Sequence, residues 1–564
     1  MNLTNMGRPL TSLHHHLRCP QSCIITLVRG LTTMEKLSVA TTIPHLRSCN
    51  EECAEPVEAK VKGTIPKWVK GYLLRNGPGL REIGEDRFQH LFDGMALLHQ
   101  FEIEDGRIHY RNKFLRSEAY AKNMKANRIV VSDFGTRGCP DPCKNILSRY
   151  MSYYSFQSFT DNDAVSIYPI GDQLYASTES TCIRRINPTN LDSLESVDMN
   201  KFVAVNTQTA HPHIERDGIV YNLGSNFSGK GSYNLVKIDP HKKADFPNAE
   251  ILCSLPVRQR YYPSYYHSFC FTENYVIFVE QALVFSIPQI LLSHFLGRPF
   301  CDSFSWRPEY RNRFNVICKK TGELISDKFI SEPFAFFHTI NAYEDDGHIV
   351  CDICCYRDGT IVNALFAESV IEVQQKAMEG KIHETKYGQS LQSQARRYVI
   401  PMHNQSPKSG DNLIGLKNSQ AKAYKKGDEV HLDFEPLTPM ATNASEMPQI
   451  NYHGNNGRKY SYFYSLTRRD DYLAQLMKCD VTNRTSKIWS EEHCLPSEPI
   501  FVPRPNATSE DDGVVLSAVL SDQVDNKGFL LVLDGKSFTE LARAEFQTPS
   551  PIPADFHGIF WNKF

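Results

Sequence analysis

The chain has 564 residues, which allows several domains or one large all-β unit. Apolar residues make up 41% and charged residues 22%, so there is material for a core, and general disorder is excluded. A formal charge of -2, from 62 basic and 64 acidic side chains, gives no field for gripping a phosphate backbone, so no nucleic-acid partner is expected.

Residues 1–50 read as a flexible leader or targeting segment and residues 51–564 as one domain. No acid precedes Glu35, while Arg8, Arg18 and Arg29 lie among Ser, Thr and Leu. That composition suits a mitochondrial presequence, or else a loose extension with translation starting at Met34. No secretory signal is expected, so the sequons at Asn2, Asn226, Asn404, Asn443, Asn483 and Asn506 read as chance matches and the cysteines as reduced thiols. His14-His-His16 belongs to the leader, and the Cys19/Cys23 and Cys49/Cys53 spacing is not a standard zinc pattern.

From about Val61, short β-branched runs bounded by Gly, Asn and Asp predominate, as in 164–168, 219–221, 275–279, 349–353 and 514–519. One pattern recurs: an apolar strand, a polar turn and a departing strand, at 183–192, 235–240, 314–323, 476–483 and 530–540. Such recurrence predicts an all-β fold, a β-propeller in preference to stacked sandwiches. Ala367 to Gly380 and Leu391 to Tyr424 are expected to form a helical and loop cap over one face, where a substrate entrance is built. Ala282 to Leu296 is apolar and uncharged but too short to span a bilayer; it is either a core helix interrupted by Pro288 or a segment dipped into one leaflet.

No Walker, zincin, nucleophile-elbow or dinucleotide-binding motif is present, and Gly229-Lys-Gly231 is a lone turn. What remains is histidine in apolar strand contexts: His211 and His213, His267, His338 and His557. Inner strands of a propeller would bring such distant residues to one axis. Imidazole suits iron, copper, nickel or zinc, and its second ring N–H usually goes to a carboxylate. Glu179, Glu446 and Glu498 lie in suitable contexts for that role.

Arg75-Asn-Gly-Pro-Gly79, His90-Leu-Phe-Asp-Gly94, Pro140-Asp-Pro-Cys-Lys144, Ala210-His-Pro-His213, Phe337-His-Thr-Ile-Asn341, Pro496-Ser-Glu-Pro-Ile-Phe-Val502 and Phe556-His-Gly558 resemble the carotenoid cleavage oxygenase family, in its animal branch. The resemblance runs in order from about residue 60 to the C-terminus. It implies a seven-bladed propeller carrying one Fe2+ per subunit on His211, His267, His338 and His557, with Glu179, Glu446 and Glu498 behind them; His213 is not a ligand. The substrates implied are a carotenoid and O2. A polyene offers only apolar surface and a π-system, so Tyr265, Tyr266, Phe334, Phe336, Phe337, Phe556 and Phe560 are candidate tunnel residues.

The resemblance further implies an intracellular, cytoplasmic protein attached peripherally to membranes through 282–296 and 145–154, with a mitochondrial location as the alternative. Cys143 either matches the position acylated in the visual-cycle isomerase branch or is a free buried thiol. Runs such as 166–173, 350–357 and 509–513 resemble enzymes that cleave β-carotene centrally, at 15,15′, to retinal, some of which also isomerise one half; 263–267, 275–281 and 530–545 equally resemble eccentric 9′,10′-cleaving enzymes. A retinyl-ester isomerohydrolase and a non-catalytic carotenoid binder stay open as alternatives. Asn206-Thr-Gln-Thr-Ala210 departs from the small-residue run usual before the first histidine and bears on the tunnel wall.

Overall fold

The computed structural model describes residues 43–146, 148, 160–242, 248–296, 298–402, 410–438, 444–468 and 474–562. Seven sheets of four to six strands, antiparallel but for one parallel pair in the fourth, form a seven-bladed β-propeller. Its ring is closed twice. The C-terminal strand His557–Trp561 pairs with Gly71–Leu80 in the first blade, and Lys60–Gly63 pairs with Glu540–Gln547 in the last. The seam is packed as a core, with Tyr110 stacked on Phe546 at 4.1 Å between ring centres and Leu73, Phe101, Leu516 and Leu530 fully buried around them.

The five recurrent strand-turn-strand patterns all lie at paired strands within blades. They join Cys182–Ile186 to Ser193–Asp198, Ser232–Ile238 to Ala249–Pro256, Asn312–Cys318 to Leu324–Ser331, Ala474–Asp480 to Thr485–Trp489 and Lys527–Asp534 to Glu540–Gln547. The fifth blade escapes that pattern because a long insertion separates His348–Tyr356 from its partner Ser393–Pro401. This insertion carries the helices Ile361–Ala364 and Ala367–Met378, which supply the expected helical cap.

The rest of the predicted cap is corrected. Leu391 to Tyr424 is not a capping loop: Ser393–Pro401 is a blade strand, and Lys422–Lys426 forms a hairpin with Glu429–Asp433 that extends the fourth blade. Polar composition hid the strand. Arg397 is accommodated there because its guanidinium donates to both carboxylate oxygens of buried Asp352, each at 2.8 Å.

The packed body also begins earlier than residue 51. Ile43, Leu46 and Cys49 are buried, and the Ala554 N–H donates to the Pro44 carbonyl at 3.0 Å. Cys49 and Cys53 are free thiols in separate core clusters. The presequence reading, Met34, the three-histidine run, the Cys19/Cys23 pair and the sequons at Asn2, Asn404 and Asn443 lie outside the described residues.

Leu74 is fully buried between the first and second blades, against Leu98, Ile167 and Leu174. Leu74→Ala is expected to lower stability by about 2–5 kcal/mol, read as an earlier midpoint in urea unfolding at unchanged slope.

Candidate metal centre and cavity

Four elements deliver one histidine each. His211 sits between the short strands Thr207–Gln208 and His213–Ile214, with its N–H held by the Thr209 hydroxyl at 2.9 Å. His267 lies just before Cys270–Phe271, His338 on Ala335–Asp345 and His557 at the start of the C-terminal strand. On Ala335–Asp345 the register shifts, so that Phe337 and His338 together oppose Cys354 alone. This bulge turns both consecutive side chains onto the cavity wall, which a regular strand does not do.

The four rings converge. Their candidate ligand atoms all lie within 4.8 Å of one another; His211 Nε2 is 2.9 Å from His267 Nε2, and His338 Nε2 is 3.2 Å from His557 Nε2. Three Nδ1 atoms are committed to carboxylates: His267 to Glu179 at 2.5 Å, His338 to Glu446 at 2.6 Å and His557 to Glu498 at 2.8 Å. A carboxylate accepts, so each of these Nδ1 atoms carries the proton and each Nε2 presents a lone pair.

Facing lone pairs at such spacing repel unless a cation lies between them. An imidazole–metal bond of ~2.1 Å puts right-angle neighbours ~3.0 Å apart, close to the spacings found. The donor set therefore fits a divalent transition metal bound by four neutral imidazoles. Burial favours the neutral form, and the adjacent rings add to it, holding His211 well below the ordinary imidazole range. Burial also lowers His267 and His557 despite the opposing pull of their carboxylates.

The carboxylates are themselves fixed. Glu498 is buried, which opposes its charge, yet His557, Arg75 and Gln449 hold it down to about 2. Its Oε1 accepts from His557 and from Gln449 Nε2 at 2.9 Å; its Oε2 accepts from Arg75 at 3.0 Å and from the Gly558 N–H at 2.9 Å. Gly558 must be glycine, because a Cβ there would sit 2.4 Å from the Leu74 carbonyl oxygen. Arg75, fully buried, also donates to Asp555 at 2.6 Å and to the Phe556 carbonyl at 3.1 Å, so it braces both sides of the His557 strand. Glu179 accepts from the Tyr265 hydroxyl at 2.8 Å. Glu446 accepts from the Met447 N–H at 3.1 Å, and Met447 holds a left-handed φ of 52°, a strained backbone at the cavity wall.

His267, His338 and His557, with all three glutamates, face a cavity of about 1460 Å³. Of the seven predicted aromatic residues, Tyr265, Tyr266, Phe337 and Phe556 line it. Phe334 and Phe336 do not: they are fully buried in the core between blades, Phe334 stacked on Tyr398 at 5.2 Å. Phe560 packs instead at the seam of the first and last blades. The divergent Asn206, Thr207 and Gln208 are on the wall. His213 turns away from the rings, with contacts to the Phe269 carbonyl at 2.9 Å and Asn456 at 3.0 Å. Sequence reasoning missed Phe92, Phe285, Phe300 and Gln449, and gave Arg75 no role; Phe92 and Arg75 stood inside quoted motifs, which was the available signal.

The apolar segment 282–296 is a strand, Leu283–Phe285, followed by a helix, Ile287–Leu296, with Pro288 in its first turn where proline is tolerated. Its Ile287, Ile290 and Leu291 line the cavity, while Leu291 and Leu292 are each 53% exposed. Cys143 and Ile146 are exposed; of 145–154, only Asn145, Ile146 and Ser148 are among the described residues.

Residues 46–562 match the family model for the retinal pigment epithelial membrane protein, RPE65. The carotenoid-cleaving dioxygenase, mitochondrial, of Mustela putorius furo is 41% identical over 94% of this chain and 99% of its own length. The β,β-carotene 15,15′-dioxygenase of Mus musculus is 40% identical over 91% of each chain. Among solved structures, the cobalt-substituted Synechocystis ACO superposes with a TM-score of 0.72 at 22% identity, covering 94% of this chain and 99% of that one, which bears on the fold alone. With a family model spanning the propeller and relatives of this identity over nearly the whole chain, the protein belongs to the RPE65/carotenoid oxygenase family.

Proposed function

We propose that this protein is an Fe2+-dependent dioxygenase that cleaves a C=C bond of a carotenoid with O2, placing one oxygen atom in each of two aldehydes. The observation that carries this reading is the convergence of four imidazoles, three of them on the wall of a large cavity with aromatic lining. The principal reaction is central 15,15′ cleavage of β-carotene to retinal. Eccentric 9′,10′ cleavage is the second reading, resting on the runs 263–267, 275–281 and 530–545.

His211, His267, His338 and His557 would hold the iron, which when bound supplies redox chemistry toward O2. The chain does the rest. Glu179, Glu446 and Glu498 fix the tautomers of three rings and offset charge in a medium where it is costly. Phe337 and Phe556 present ring faces and edges to a polyene and exclude water; their π-systems stabilise positive character developing on it. Phe92 buttresses both, at 5.7 Å from Phe337 and 6.0 Å from Phe556.

The helix Ile287–Leu296 both lines the cavity and exposes leucines, which supports substrate entry from an apolar phase and peripheral docking there. Among the described residues no helix is long and apolar enough to cross a membrane. The acid-free, arginine-bearing leader and relatives named as mitochondrial together support a mitochondrial destination over the cytoplasmic one.

His338→Ala is expected to abolish iron retention in metal analysis, whereas Glu446→Gln keeps bound iron but turns over about 10–100-fold more slowly; normal turnover by His338→Ala would contradict the assignment. Arg75→Ala leaves Glu498 and Asp555 buried without their cation, so a loss of about 3–5 kcal/mol in denaturant unfolding is expected. With β-carotene under 18O2, rapid trapping of the aldehydes should show label in both products; retinal alone reports central cleavage, a long apocarotenal with an ionone fragment reports eccentric cleavage, and unlabelled alcohol products indicate hydrolysis.

A further inference from the structure

Each of the three carboxylate oxygens that takes a ring N–H also takes a second donor. The Oε1 of Glu179, facing His267, accepts from the Tyr265 hydroxyl at 2.8 Å, and that hydroxyl stands 3.1 Å from the same Nδ1. The Oε2 of Glu446, facing His338, accepts from the Met447 N–H at 3.1 Å. The Oε1 of Glu498, facing His557, accepts from Gln449 Nε2 at 2.9 Å. A phenol, a backbone amide and a carboxamide thus arrive at the equivalent atom of three separate pairs.

Two of these donors depend on one irregular strand, Glu446–Ile450. Side chains alternate in a regular strand, so Glu446 and Gln449, three positions apart, would point to opposite faces. Here Glu446 pairs with Leu466 and Gln449 with Tyr464, so three steps on this strand oppose two on its neighbour. The extra residue falls at Met447-Pro448, where Met447 has its φ of 52°. This bulge turns Glu446 to His338, Gln449 to Glu498 and the Met447 N–H onto Glu446. A left-handed φ at a residue with a side chain is unfavourable and persists only where its surroundings require it. Gln449 stands behind Glu498, off the cavity wall, whereas Tyr265 lines it.

A second donor draws electron density from the oxygen, which then accepts more weakly from the imidazole and leaves the proton on the ring. With its proton held, the ring is a neutral ligand; as the proton moves toward the carboxylate, the ring becomes a stronger, more anionic donor that favours the more highly charged metal. Resting on the reading of the four histidines as an iron site, we propose that Tyr265, the Met447 N–H and Gln449 set the potential of that site, keeping its rings neutral and its metal ferrous in air. Tyr265 and Gln449 are positioning residues in this role, acting through Glu179 and Glu498. The oxidation they oppose passes one electron from Fe2+ to O2 and leaves Fe3+ and superoxide.

The test compares wild type, Gln449→Leu and Tyr265→Phe, each loaded with ferrous iron and free of carotenoid. The Fe3+/Fe2+ midpoint potential should fall by at least about 59 mV in each variant, a tenfold change in the one-electron equilibrium. High-spin ferric iron should also appear faster in air, read by electron paramagnetic resonance. Retention of iron by both variants at the wild-type potential, or at a higher one, overturns the proposal and leaves Gln449 and Tyr265 packing residues. A second readout does not use iron: in the zinc-loaded proteins the proton resonance of the His557 ring N–H should move downfield in Gln449→Leu, and that of His267 in Tyr265→Phe, as each hydrogen bond to its glutamate strengthens. If wild type retains no iron but these resonances move, the iron reading fails and the hydrogen-bond device stands. If iron is retained and carotenoids are cleaved, yet neither potential nor resonance moves, the oxygenase reading stands and the device fails. Equal thermal midpoints for the three zinc-loaded proteins show that the fold is intact.

Discussion

Four imidazole lone pairs aimed at one point, in a buried setting, are unstable without a cation, and the fold is organised to hold them there. Each histidine comes from a different blade, and none is near the next in sequence. The last of them, His557, is delivered by the strand that closes the ring, so closure of the propeller and completion of the site are one event. Arg75 makes the coupling physical: it leaves the first blade, meets Glu498 of the last and Asp555 beside His557, and is entirely buried. Removing water from such a set is costly, and two hydrogen bonds to each carboxylate oxygen of Glu498 offset that cost.

The fold class was legible because most blades repeat one strand-turn-strand pattern, and five of these patterns are continuous in sequence. Where an insertion split the hairpin, as between Tyr356 and Ser393, the pattern was broken and the returning strand was read as loop. Arg397 contributed to that misreading, since only the structure shows the aspartate that neutralises it. The site was legible to the extent that its residues stand in short, distinctive runs: the four histidines converge, and three of them meet the three glutamates as paired donors and acceptors.

Aromatic residues near those runs were less readable, for a reason of geometry. Phe334, Phe336 and Phe337 differ by one or two positions, and strand alternation sends the first two into the interblade core while the bulge keeps Phe337 beside His338. A sequence does not announce a bulge. Nor does it announce that residues 43–49, next to an acid-free leader, are packed onto the propeller, with Pro44 accepting from the Ala554 N–H and Cys49 donating its N–H to the Gly79 carbonyl.

The most direct test of this account is X-ray absorption spectroscopy at the iron edge of the ferrous-loaded protein. The account predicts four imidazole nitrogens per iron and no glutamate oxygen, because Glu179, Glu446 and Glu498 are each occupied by a ring N–H. A first shell containing a carboxylate oxygen, or only two or three imidazoles, would contradict it.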